Sequence, residues 1–181
     1  MIASIRGEVL STGAGWVVLG VGGVGLRVEV PSGRIAPAHV GSQLALHTSL
    51  IVREDSLTLF GFSTSEELEV FGHLLAVSGV GPRSALGVLS ELTPAQIASA
   101  VAAEDEKPFR KVSGIGPKTA KLIAVSLAGK VTVAAYGRQG APGIEHDAVA
   151  AENPSAVAAA NVEQALIGLG YREAQSEDAV A

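Results

Sequence analysis

Over the first 62 residues, apolar side chains recur at alternate positions or in short β-branched runs: Ile2–Leu10, Trp16–Gly20, Val24–Val30, Leu44–Val52 and Ser56–Phe62. A period of two puts successive side chains on opposite faces of a strand, and the Gly, Pro, Ser and charged residues between the runs supply turns. Five short strands in so little chain predict a small closed barrel, because closure leaves no unpaired edge. A core of that size is marginal alone and needs neighbours to lean on. At Thr64 the period changes. Thr64-Ser-Glu-Glu67 is a capping-box pattern, and Leu68, Phe71, Leu74 and Leu75 follow at helical spacing. Thr93-Pro94 opens a helix through about Ala103. Further helices are predicted at about Glu106–Val112 and Pro117–Ala128. From Val131 to Pro154 the pattern dissolves into Gly and Pro among small residues, the composition of a linker. Helical periodicity resumes at Ser155–Gly168 and over Glu173–Ala181. The chain therefore divides into a barrel at 1–63, an all-α region at 64–140 whose helical core ends near 130, a linker at 141–153 and a partial helical piece at 154–181.

Composition sharpens this picture. With 48% hydrophobic residues among 181, the chain is too apolar for a disordered tail. No uninterrupted apolar run reaches the roughly 18–20 residues of a membrane span, so no membrane partner is expected. Arg6 and Glu8 stand where a signal peptide would be apolar, which makes a cytoplasmic location the expectation. The absence of Cys excludes a disulfide scaffold, thiol chemistry and Cys-ligated zinc. A net charge of −5 argues at first against nucleic acid, but the average conceals an asymmetry. Residues 1–70 hold four basic and seven acidic side chains, 71–130 seven basic and four acidic, and 131–181 two basic and seven acidic. Only the middle third is basic, and charge taken per domain is the more physical quantity.

That basic third contains a repeat. Val77-Ser-Gly-Val-Gly-Pro-Arg-Ser-Ala85 and Val112-Ser-Gly-Ile-Gly-Pro-Lys-Thr-Ala120 match position by position, 35 residues apart. Gly79 and Gly81, like Gly114 and Gly116, flank one apolar residue, allowing a sharp turn and close backbone approach. Each Pro then opens a helix whose free N–H groups and positive dipole end form an anion site. Arg83 or Lys118 adds a full charge there, and Ser84 or Thr119 adds a hydroxyl donor. Such a device holds phosphates and ignores bases. A tight helix–helix turn whose glycines serve packing alone is the alternative; it leaves the repeated basic and hydroxyl positions unexplained. The pattern resembles the helix-hairpin-helix family of DNA-backbone binders.

Other matches are decoys. Gly20-Val-Gly-Gly-Val-Gly25 is a literal dinucleotide fingerprint, but a strand pattern follows where a helix is required, so a β-turn is predicted. Gly116-Pro-Lys-Thr119 echoes a phosphate-binding loop with Pro117 in place of the needed glycine. His39, His47, His73 and His146 show no metal-ligand spacing, so no metal, ATP or other cofactor is expected, and no catalytic residues are assigned. Two rival functions come from other classes. A nuclease would use Glu54 and Asp55 as metal ligands, but neighbours in a strand face opposite ways. A single-strand-binding OB protein would want more stacking platforms than one Trp, two Tyr and four Phe supply.

Beyond the hairpins, the chain is similar along nearly its whole length to the RuvA family, the junction-recognition subunits of bacterial branch-migration complexes. Met1-Ile2, Arg6-Gly7, Val21-Gly-Gly-Val-Gly25, Val52-Arg-Glu-Asp55, Leu59-Phe-Gly-Phe62, both hairpins and Leu166-Ile-Gly-Leu-Gly-Tyr171 carry the resemblance. It implies an OB-type barrel, a helical domain with two helix-hairpin-helix motifs, a flexible linker and a small UBA-like domain. The family's third C-terminal helix has no counterpart before Ala181. It further implies a homotetramer, or two tetramers per junction, holding a Holliday junction open and near-planar in recombination, repair and the SOS response. The RuvB hexamer, which alone binds ATP, would dock on the last domain through Leu166, Leu169 and Tyr171, and the RuvC resolvase would share the junction. Glu54 and Asp55, at an expected hairpin tip, would form an acidic pin at the tetramer's centre.

Overall fold

A computed structural model describes residues 2–35 and 39–136. Five strands form in the order expected: β1 (Ser4–Gly13), β2 (Trp16–Val21), β3 (Val24–Glu29), β4 (Gln43–Val52) and β5 (Leu57–Phe62). They close into a barrel in the order β1-β2-β3-β5-β4, every neighbouring pair antiparallel except β3 with β5. Along β1 as far as Val9 the alternation is strict, with Ile5, Gly7 and Val9 inward and Ser4, Arg6 and Glu8 outward. Val17, Leu19, Val28, Leu46 and Leu59 complete the barrel interior. The literal dinucleotide fingerprint is the β2–β3 hairpin: Gly22 and Gly23 have φ of 57° and 85°, the two left-handed central residues of a type I′ turn.

β5 is buried on both faces, and this joins the barrel to the helices. Leu59 enters the barrel core, whereas Phe60 and Phe62 belong to the core of the helical region. Both rings meet Phe71 of α1 (Ser65–Leu75), at centroid separations of 5.2 and 4.8 Å. The predicted box at Thr64 forms in a stretched version. Thr64 Oγ1 accepts from the Glu67 N–H at 3.2 Å, while the Glu67 carboxylate reaches one residue further back, to the Ser63 N–H at 3.0 Å.

The helical region continues with α2 (Pro82–Glu91), α3 (Pro94–Ala102), α4 (Lys107–Arg110) and α5 (Pro117–Leu127). Thr93 caps α3 in a full reciprocal box with Gln96. α4 is shorter than its predicted Glu106–Val112, because Lys111 ends the helix and Val112 already belongs to the turn that follows. Structure also persists into the stretch where periodicity fades. After buried Val131 a single turn, α6 (Val133–Tyr136), lies on α3, and Tyr136 is buried. Its four residues are too few to display a period. A polar latch ties the barrel to α2: the Ser32 N–H donates to Ser90 Oγ at 2.9 Å, and Ser90 Oγ donates to the Leu86 carbonyl at 3.0 Å. No single helix among the described residues is long and apolar enough to cross a membrane.

Candidate nucleic-acid interface

The sequence repeat is a geometric repeat. Gly79 and Gly114 both adopt the left-handed region, at φ of 83° and 84°. Gly81 and Gly116 are the N-caps of α2 and α5, at φ, ψ of −88°, 171° and −81°, 170°. The hydrogen bonds correspond as well: the Val80 N–H donates to the Val77 carbonyl and the Ile115 N–H to the Val112 carbonyl, each at 3.1 Å. Ala85 and Ala120 bond back to Gly81 and Gly116, each at 2.9 Å. Val80 and Ile115 are buried and peg each turn to the core.

The two glycines of each turn have different duties. Gly79 and Gly114 are required by their own backbone angle, since a side chain in that region is strained. Gly81 and Gly116 have angles any residue accepts, and a Cβ on either would meet nothing within 4 Å. Their bareness serves nothing inside the fold. Neither N-cap offers a side-chain hydrogen bond to its helix, so the first N–H groups of α2 and α5 stay available to an external acceptor. Arg83 and Lys118 are exposed beside them, and Ser84 and Thr119 are half-buried.

The turns also face one another. A Cβ built on Gly79 would lie 3.8 Å from Thr119 Oγ1, and one built on Gly114 would lie 3.8 Å from Ser84 Oγ. Each loop glycine thus abuts the hydroxyl of the other hairpin. Such a reciprocal contact is the mark of a local two-fold axis. The sequence shows the repeat but not this juxtaposition. Around α5 the basic residues concentrate: Arg110, Lys111, Lys118 and Lys121 are all exposed.

Glu54 and Asp55 are exposed at the tip of the β4–β5 hairpin, in a tight turn closed by the Arg53 N–H donating to the Ser56 carbonyl at 2.8 Å. They lie in a turn, not in a strand, so strand alternation does not set their relative direction. Ser56 Oγ donates to Asp55 Oδ1 at 3.3 Å. Among the described residues, no three His, Asp or Glu side chains gather as a metal site would need. Leu166, Leu169 and Tyr171 lie outside the described residues.

Comparison with known proteins meets this geometry at both ends. Residues 1–61 match the model of the RuvA N terminal domain, and residues 71–128 that of the SAM-like helix-hairpin-helix tandem. A protein of Leifsonia xyli, named Holliday junction branch migration complex subunit RuvA, is 53% identical over 181 residues, covering 100% of this chain and 84% of its own length. The chain belongs to the RuvA family. Identically named members from Clavibacter michiganensis and Salinispora arenicola are 48% and 42% identical; they cover 99% and 100% of this chain, and 79% and 86% of their own lengths. RuvA membership agrees with the barrel-then-hairpins architecture built above from the residues.

One feature escaped the sequence. Trp16 and Arg27 of the barrel line the same groove as Arg83 of the first hairpin. The alternation places Trp16, Arg27 and Glu29 outward, which was the available signal; only the strand register and the seating of α2 show that they meet.

Proposed function

We propose that this chain is the junction-binding, non-catalytic subunit of a DNA branch-migration complex. The observation that carries the reading is the pair of equivalent, mutually facing hairpin turns, each offering an uncapped helix start, an exposed cation and a hydroxyl. Phosphate oxygens accept from the free N–H groups, the helix dipole favours their charge, and Arg83 or Lys118 adds a charge-assisted bond. Two facing clamps hold the two strands of one duplex arm by their backbones, independent of sequence. Four copies arranged about a four-fold axis hold four arms of a Holliday junction open and near-planar, with Glu54 and Asp55 at the centre. The chain needs no cofactor of its own in the cytoplasm. A RuvB hexamer recruited through Leu166, Leu169 and Tyr171 supplies ATP hydrolysis, and RuvC works on the same junction.

The deciding experiment is a gel shift with four-way junction, linear duplex and single strand, with and without magnesium, scored for binding and cleavage. The junction is bound in preference to both other DNAs and is not cut. Arg83→Ala and Lys118→Ala weaken junctions of every sequence alike, each lowering the log–log salt slope by about 0.9 per lost duplex phosphate contact. A change in base preference with the slope intact would refute the clamp; magnesium-dependent cutting would restore the nuclease.

A further inference from the structure

Between the barrel and α2 runs a groove of about 980 Å³. One wall is the first turn of α2 with Arg83; the other is the barrel, with Trp16, Arg27 and Arg53. Register explains why the barrel residues meet. Trp16 pairs with Glu29 and Val18 with Arg27, so Trp16, Arg27 and Glu29 share the outward face of the β2–β3 ladder. The indole lies so close over Gly13 that a Cβ there would overlap the ring. The Arg27 guanidinium sits 4.7 Å from the Trp16 ring centroid, and its Nε donates to Glu29 Oε1 at 2.9 Å. An aromatic face and a carboxylate thus fix the plane of the guanidinium, while the side chain stays 58% exposed. An arginine held this way has already given up the rotamer freedom that a free surface arginine loses on binding.

Charge selects the occupant. Three guanidinium groups line the groove against one carboxylate, Glu29, which Arg27 already engages. Among the described residues, neither Arg53 nor Arg83 has a carboxylate within 4.0 Å. A single small anion would leave most of that charge unmatched; a line of phosphates would not. The groove joins the base of the β4–β5 turn to the N-terminus of α2, on the path from the acidic tip to the first hairpin.

We propose that this groove is a further phosphate track, taking the DNA backbone between the β4–β5 turn and the first hairpin. Arg27 is its fixed contact and Trp16 the side chain that positions Arg27. The proposal rests on the DNA-binding reading above and adds a barrel-side contact to it.

The test titrates the full chain with a labelled four-way junction at 50 and 200 mM salt, beside R27Q, R27K, W16L and R83A. Loss of one duplex phosphate contact lowers the log–log salt slope of R27Q by about 0.9, so its deficit against the parent shrinks about 3.5-fold between the two salts. R27K keeps the charge but neither the fork nor the stack, and falls between parent and R27Q. W16L leaves the charge count unchanged and still weakens binding. Phosphate-ethylation interference on the same junction loses, in R27Q, phosphates that R83A retains. If R27Q matches the parent in affinity, slope and interference while R83A is weakened, the track is refuted and the hairpin reading stands. If R83A matches the parent, the hairpin reading itself fails. R27K guards against misfolding: with the thermal midpoints of both variants intact, an R27Q interference pattern like the parent's overturns the proposal by itself.

Discussion

At the scale of single residues, the two glycines of each hairpin turn are separable by experiment. Gly79 and Gly114 answer to backbone angle, so Gly79→Ala strains the turn and lowers stability by about 1–2 kcal/mol, read from urea denaturation. In the proposed function Gly81 and Gly116 answer to an external phosphate. A serine at either position fits the extended N-cap geometry, and its oxygen accepts from the helix's own N–H groups in competition with the external acceptor. Gly81→Ser and Gly116→Ser therefore keep or raise the thermal midpoint, gaining a few tenths of a kcal/mol. They weaken junction binding by about 1.5–3 kcal/mol for each charge-assisted bond displaced. Stability and binding moving in opposite directions distinguishes a ligand site from a packing turn, in which both would move together. The sequence displayed these glycines as equivalent, because the letter G does not report its φ.

At the scale of elements, periodicity reveals what is buried and on which face, but not against what. The five strands, the caps at Thr64 and Thr93 and both hairpin turns were legible from alternation, helical spacing and the Pro at the first helical position. The parallel pairing of β3 with β5 that closes the barrel was not, since both strands show the same alternation whichever neighbour they take. Nor was the double burial of β5, because Phe60 and Phe62 look like ordinary strand aromatics until α1 covers them. The last turn among the described residues, α6, was hidden by its brevity, yet Tyr136 anchors it. Burial first, then the neighbouring Glu69 and Glu66 carboxylates, push the Tyr136 hydroxyl from 10.0 up to about 12. A phenol whose folded pKa is raised contributes stability that is complete below its unfolded value and is lost as pH climbs through the folded one. Relative to Tyr136→Phe, the parent therefore holds a constant thermal midpoint difference up to about pH 9.5 and loses ground between about pH 10 and 12. A difference that stays flat through that window would mean the hydroxyl is neither buried nor held near those carboxylates.

At the scale of the whole molecule, an acidic chain binds a polyanion by sorting its charge: cations gather around the hairpins and the groove, while Glu54 and Asp55 occupy an isolated tip. In the proposed tetramer these carboxylates oppose phosphate at the centre, so they lower affinity and supply selectivity, because a continuous duplex would have to cross them. Glu54→Gln with Asp55→Asn accordingly tightens linear duplex more than junction, and the gain on duplex shrinks as salt rises. An unchanged junction-to-duplex ratio at low salt would reduce the pair to a solvated turn. The local two-fold axis between the hairpins bears on motion. A duplex has its own dyads at every base pair, and its strands run in opposite directions. In the proposed complex, two grips of equal shape and opposite sense therefore meet equivalent partners whichever strand each takes and whichever way the arm is threaded. After an advance of one base pair the same fit recurs, so the energy along the path repeats at each step without a deep stopping point. A holder built in this way works as a bearing, leaving direction and force to whatever drives the DNA through it.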